Sequence, residues 1–154
     1  GVGSGLTLAY LKKWGAAKCV GVDYSKKAID FARRRNQDIN YILADVFTLN
    51  TIADKQFDFV YSLGLIEHYS KENQLKLINE HKRLAREGIF IEVPYDVFYF
   101  RWLFALNRRL GRTMTFSDEQ LFTKKTFKEL GLTGESKLMP STYFLTIGYF
   151  EPLS

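Results

Sequence analysis

Apolar positions along the chain alternate between a helical rhythm and short continuous runs, and most switches fall at a recognised boundary residue. Residues 6–14 read as a helix with Leu8, Leu11 and Trp14 turned inward, ended by Gly15. A short apolar strand follows over residues 18–23. Ser25 is suited to cap the next helix, whose inner face carries Ala28, Ile29 and Ala32 while Lys26, Lys27, Arg33, Arg34 and Arg35 face water. Residues 40–44 form another strand, ending at Asp45. The run over residues 57–63 is almost wholly apolar, which predicts a strand covered on both faces. Residues 71–86 are helical, with Leu75, Ile78 and Leu84 on one side, and residues 88–93 return as a strand stopped by Pro94.

Strands and helices in this alternation predict an α/β fold, a Rossmann-like doubly wound sheet that is mostly parallel. The last third changes character. Residues 95–110 are rich in aromatics and read as helical, residues 111–118 as a loop, and residues 123–130 as a helix closed by Gly131. Residues 132–138 and 143–150 read as two strands joined through Met139, Pro140 and Ser141, a connection short enough for an antiparallel C-terminal hairpin. The whole of residues 1–154 is expected to be one domain, with residues 95–122 inserted as a cap or lid.

Composition narrows the class. With 154 residues, 46% of them hydrophobic, the chain is large enough for a sizeable core. Cys19 is the one cysteine, which excludes a disulfide framework or a cysteine-built metal cluster and points to a reducing, cytoplasmic setting. No apolar run is long enough to cross a bilayer. The net charge of +5 permits an anionic partner without demanding one.

The candidate chemistry begins at residue 1. Gly1, Gly3 and Gly5 form a glycine-rich turn feeding a helix, and the next strand ends in the carboxylate of Asp23. Glycines let the backbone approach a ligand closely, and the new helix directs unpaired N–H groups toward an anion. A carboxylate at the next strand's tip can accept hydrogen bonds from both hydroxyls of a ribose. The strand that should precede such a turn is missing, which predicts that the sequence is a piece of a longer protein.

In this ordered set the chain resembles the class I S-adenosylmethionine-dependent methyltransferases, particularly the broad small-molecule group. The resemblance covers nearly the whole length. It places Gly1, Gly3 and Gly5 along the cofactor's amino-acid part, and Asp23 with the adjoining Tyr24 at its ribose. Asp45, with Val46 and Phe47, matches the segment that bonds and flanks adenine. Ser62 and Leu63 lead into a segment ending in Glu67 and His68, which resembles the family's stretch after the fourth strand. Where a dehydrogenase fingerprint needs a third glycine the chain has Leu6, which separates it from nicotinamide enzymes. The acidic residue that the family carries two positions before its first glycine is also missing.

The resemblance implies an in-line methyl transfer to a small-molecule acceptor, most readily an oxygen nucleophile, with S-adenosylmethionine as donor. Such a reaction mainly needs the two reactants held at attack distance with water excluded. His68 is the candidate general base, and its alternative reading is a residue that only orders its loop or touches the cofactor. No metal is expected. Related metal-binding enzymes use a Glu-x-x-Glu-His pattern, and Gly64 occupies the first glutamate position here. His81 lies inside a helix and reads as a surface or packing residue. Asp58, opening a buried strand, reads as a partner for nearby backbone donors. Phe98, Arg101 and Trp102 are the lid candidates, over an aromatic or lipid-like acceptor. The same stretch could instead pack on the sheet or lie at a membrane surface. An RNA-directed methyltransferase and a non-catalytic domain are the competing functions. The first is disfavoured because Ser62, Leu63, Gly64 and Leu65 stand where base-methylating enzymes carry a proline-rich motif.

Overall fold

A computed structural model of the chain describes residues 1–97, 102, 106, 109, 120–140 and 145–153. The lid candidates Phe98 and Arg101, and Ser141 of the expected hairpin turn, lie outside the described residues. The chain divides into two compact units, Gly1–Ile52 and Ala53–Ser154.

The first unit contains α1 (Leu6–Lys13), β1 (Val20–Asp23), α2 (Lys26–Arg35) and β2 (Asn40–Leu43). β1 and β2 are parallel, with Val20 opposite Asn40 and Asp23 opposite Leu43. Leu8, Ile29, Ala32, Ile39, Tyr41, Leu49 and Ile52 are buried. The Ser25 side chain accepts the Ala28 N–H and caps α2 as expected. α1 stops sooner than its apolar pattern suggests. Gly15, at φ 104°, donates to the Lys12 carbonyl, and Ala16 donates to the Leu11 carbonyl, a glycine stop that satisfies two helix-end carbonyls. Trp14 therefore sits at the helix end, 76% exposed, and stacks on Tyr10 instead of turning inward. Tyr10 and Trp14 are one helical step of four apart, on a different side from Leu8.

The second unit contains β3 (Phe57–Leu63), a single 3-10 turn (Ile66–His68), α3 (Lys71–Leu84), β4 (Ala85–Pro94), α4 (Lys124–Glu129), β5 (Glu135–Pro140) and β6 (Leu145–Pro152). Its sheet runs β3-β4-β6-β5. β3 and β4 are parallel, while β6 is antiparallel to both β4 and β5, so the last strand enters between two earlier ones. Ile89, Ile91, Val93 and Ile147 from the sheet are buried, as are Leu77, Ile78 and Leu84 of α3 and Phe122, Phe127 and Leu132.

Several sequence expectations need correction. The continuous doubly wound sheet is instead two sheets, because β1 and β3 each pair on one side only among the described residues. β3 is not covered on both faces: Phe59 is 56% exposed and Asp58 is exposed, pairing with Arg86 at 2.5 Å rather than with backbone donors. Leu75 faces water, and the inner face of α3 is Gln74, Leu77, Ile78, His81 and Leu84. Pro94 does stop β4, as expected. It takes the strand's last position opposite Thr146, and its carbonyl accepts the Phe122 N–H at 3.0 Å. Leu132 belongs to a helix stop rather than a strand: Gly131 donates to Lys128 and Leu132 to Phe127. Met139 and Pro140, expected in the turn, are strand residues paired with Thr146 and Leu145.

The ends of the expected cap region meet. Tyr95 bridges Phe122, and the Asp96 N–H donates to the Phe122 carbonyl at 2.8 Å. Tyr95, Asp96 and Val97 are not helical, while Trp102, Leu106 and Arg109 are helical and exposed.

Candidate active site

In the first unit, parallel pairing brings the carboxyl ends of β1 and β2 to one edge. Asp23 ends β1 there, and Asp45 follows two residues after its register partner Leu43. The Asp23 carboxylate is buried and well bonded. Oδ2 accepts the Val2 N–H at 2.8 Å and the Gly3 N–H at 3.4 Å, and Oδ1 accepts the Ser25 N–H at 2.9 Å. This one side chain fastens the glycine turn to the strand tip and to the start of α2.

The three glycines have different duties. A Cβ on Gly5 would stand 2.8 Å from the Tyr41 hydroxyl and 2.9 Å from the Ala32 Cβ, and its φ of 71° already disfavours a side chain. Gly5 is thus needed to seat the turn against its own unit. Gly3, at φ 52°, has open space where a Cβ would be, and a Cβ on Gly1 would lie 3.4 Å from Asp23 Oδ2. Gly1 and Gly3 are exposed and leave bare backbone beside the carboxylate.

Asp45 is exposed, and its Oδ1 accepts the Phe47 N–H at 3.0 Å, a local turn that also receives the Thr48 N–H on the Asp45 carbonyl. Val46 and Phe47 are half-buried, and Tyr24 is 80% exposed. The unit therefore gathers Gly1, Gly3 and Asp23 directly and sets Asp45, Val46 and Phe47 on the same edge, with Tyr24 in solvent. An ionised carboxylate has about four lone-pair positions, so Asp23 keeps acceptor capacity beyond its three N–H donors. Bare backbone with an adjoining acceptor carboxylate fits an adenosine cofactor bearing an amino-acid tail.

In the second unit, Ser62 and Leu63 close β3. Ser62 is buried at 5% exposure, and its hydroxyl has no partner among the described residues. Gly64 turns the chain at φ 60°, donating to the Glu92 carbonyl at 2.9 Å. The 3-10 turn then buries Ile66 and Glu67 and leaves His68 exposed. Among the described residues, no three His, Cys, Asp or Glu side chains gather as a metal site would need.

His81, on α3, is a packing residue. Its Nδ1 is 2.8 Å from the Leu77 carbonyl, and burial pushes the imidazole pKa down to about 4 against a smaller opposing effect from that hydrogen bond. Two groups escaped the sequence reading. Glu151 is buried and accepts the Thr133 N–H at 2.9 Å, the Gly134 N–H at 2.5 Å and the Tyr149 hydroxyl at 2.7 Å. Burial works to raise its pKa, but these donors and Lys82 hold it below the ordinary glutamate value. Gln74 and Gln120 form an amide pair beside the His68 turn. The available signal was a polar residue, Gln74, at the inward spacing of Leu77, Ile78 and His81.

Comparison with known proteins supports the same assignment. A family profile described as a methyltransferase domain matches residues 1–91. No sequence among curated proteins matches the chain. Several solved structures share its fold. Magnesium protoporphyrin IX methyltransferase from Synechocystis PCC 6803, with bound SAH, aligns at a TM-score of 0.78 and 17% identity, covering 100% of this chain and 72% of that one. A SAM-dependent methyltransferase from Archaeoglobus fulgidus aligns at 0.72 and 17% identity, covering 99% and 83%. One from Aquifex aeolicus aligns at 0.72 and 15% identity, covering 100% and 79%.

Proposed function

The chain belongs to the methyltransferase-domain family, whose donor is S-adenosylmethionine, and on that premise we propose that it methylates an oxygen of a small-molecule acceptor. The observation that carries the cofactor part is the closure of the glycine turn on the buried Asp23 carboxylate. When bound, S-adenosylmethionine supplies a methyl group made electrophilic by its sulfonium.

The chain's own residues then have separate tasks. Asp23 receives the ribose hydroxyls on lone pairs that the turn leaves unused. Gly1 and Gly3 admit the methionine tail along bare backbone, and Gly5 keeps the turn in the shape that allows it. Asp45 accepts from the adenine amino group, with Val46 and Phe47 against the ring and Tyr24 at its margin. In the second unit, Ser62 and Leu63 at the end of β3 are the residues assigned to the cofactor. His68 takes the acceptor's proton on an imidazole nitrogen and, being exposed, can return it to solvent. Phe98, Arg101 and Trp102 are assigned to the acceptor as a lid. An aromatic or lipid-like acceptor is the class their chemistry suits.

Isothermal calorimetry with S-adenosylhomocysteine tests the cofactor assignment. Asp23→Ala should weaken binding by about 1–3 kcal/mol, the cost of removing hydrogen-bond partners from a buried polar ligand. Unchanged affinity would reject the ribose role. A panel of phenols, carboxylic acids and short RNAs, incubated with methyl-labelled S-adenosylmethionine, tests the acceptor. Label transfer to RNA alone would overturn the small-molecule reading.

A further inference from the structure

The turn that carries His68 is held by two glutamines, through side-chain amides and one backbone N–H, to which the reaction has so far assigned nothing. Gln74 is buried on the inner face of α3. Its Nε2 donates to the Tyr69 carbonyl at 3.0 Å and to Gln120 Oε1 at 3.1 Å. Gln120 Nε2 donates to the same Tyr69 carbonyl at 3.0 Å, and the Gln120 N–H donates to the Glu67 carbonyl at 3.1 Å. The backbone is thus fastened on both sides of His68, at the carbonyl before it and the carbonyl after it.

Each end of this clasp is firmly rooted. Gln74 stands on a fourteen-residue helix capped by Ser70. Gln120 lies two residues before Phe122, which exchanges bonds with Pro94 and Asp96 at the end of β4. The turn over Ile66–His68 is only three residues long, and so short a helical segment is not stable alone. A glutamine facing a hydrophobic core is also unfavourable unless its amide is bonded. Leucine or methionine would fill the same space on α3, so packing alone does not explain the amide.

We propose that Gln74 and Gln120 are positioning residues, which fix the backbone around His68 so that its imidazole meets the acceptor hydroxyl in one orientation. This rests on the reading of His68 as the proton acceptor. The clasp joins that histidine's turn to Gln120, two residues before Phe122 and its bonds to Pro94 and Asp96. It therefore ties the placement of the base to the end of the segment assigned to the acceptor.

Gln74→Met, Gln120→Met and the double variant test the proposal in the purified protein, because methionine keeps the length and removes the side-chain bonds to the Tyr69 carbonyl, while the Gln120 N–H bond to Glu67 stays. Hydrogen exchange at the His68 and Tyr69 amides should quicken about fivefold, while Leu77 and Ile78 in α3 keep their wild-type rates. The chain has two histidines, so the His68 imidazole carbon signal can be followed separately from that of His81. It should shift or broaden in both single variants, with the His81 signal unmoved. The double variant should be no worse than the poorer single one, as expected for a coupled pair. An unchanged His68 signal, or exchange quickened equally throughout α3, would overturn the proposal in favour of a purely structural role. If Gln74→Met does not fold, the exposed Gln120→Met carries the test. Calorimetry with S-adenosylhomocysteine separates the two levels. Failure of the wild type to bind it would end the methyltransferase reading, whereas normal binding with an undisturbed His68 would end only the clasp.

Discussion

Acidification should weaken the second unit through His81. The imidazole is buried, its Nδ1 is engaged by the Leu77 carbonyl, and its pKa falls from 6.5 to about 4. The unfolded chain takes up a proton near pH 6.5 and the folded one only near pH 4, so the unfolded state binds more protons across that window. Stability is therefore full above pH 6.5 and declines as the pH falls toward 4. At 1.36 kcal/mol per pH unit the whole effect is about 3 kcal/mol, of which about 2 kcal/mol is lost between pH 7 and pH 5. Urea unfolding at those two pH values measures the loss. His81→Gln cannot titrate there, so its stability should change by less than about 0.5 kcal/mol over the same interval. The imidazole signal gives a direct check, since His81 should stay neutral at pH 5 in the folded protein. A folded His81 titrating near 6.5, or a glutamine variant with the full acid loss, would refute the reasoning.

Gly5→Ala should lower stability by about 1–3 kcal/mol, because the added methyl meets the Tyr41 hydroxyl and Ala32 while the backbone holds a positive φ. Thermal unfolding would show it, and a neutral result would mean that the turn is not packed as described. Glu151→Gln replaces a carboxylate that accepts from Thr133, Gly134 and Tyr149, and should cost about 2 kcal/mol in urea unfolding at pH 7. A loss confined to pH below 4 would contradict that. His68→Ala should reduce methyl transfer by about 10²-fold with cofactor affinity unchanged. Wild-type turnover would remove His68 from the chemistry.

What could be read from the chain alone followed the strength of the local signal. β1, β2 and α2 were legible because Ser25, the Asp23 tip and the arginine end of α2 each mark a boundary by their own chemistry. The grouping of the proposed cofactor residues followed a related logic, since a glycine turn and the carboxylates of Asp23 and Asp45 fall on one edge once the strands are parallel. Trp14 and Leu132 were misplaced because glycine stops at Gly15 and Gly131 take over residues that hydrophobic spacing assigns elsewhere. Phe59 and Asp58 were misread because an apolar run does not reveal how many neighbours its strand acquires. The Gln74–Gln120 clasp and the Glu151 anchor join residues far apart in sequence, and no local pattern announces a partner at that distance.

The placement of β6 between β4 and β5 makes the pairing of β5 depend on it. During synthesis β5 emerges first, yet it has no ladder of its own to join until the following segment threads in beside β4. β6 is thus a keystone rather than a trimming, and removing it would open the sheet from within instead of shortening its rim.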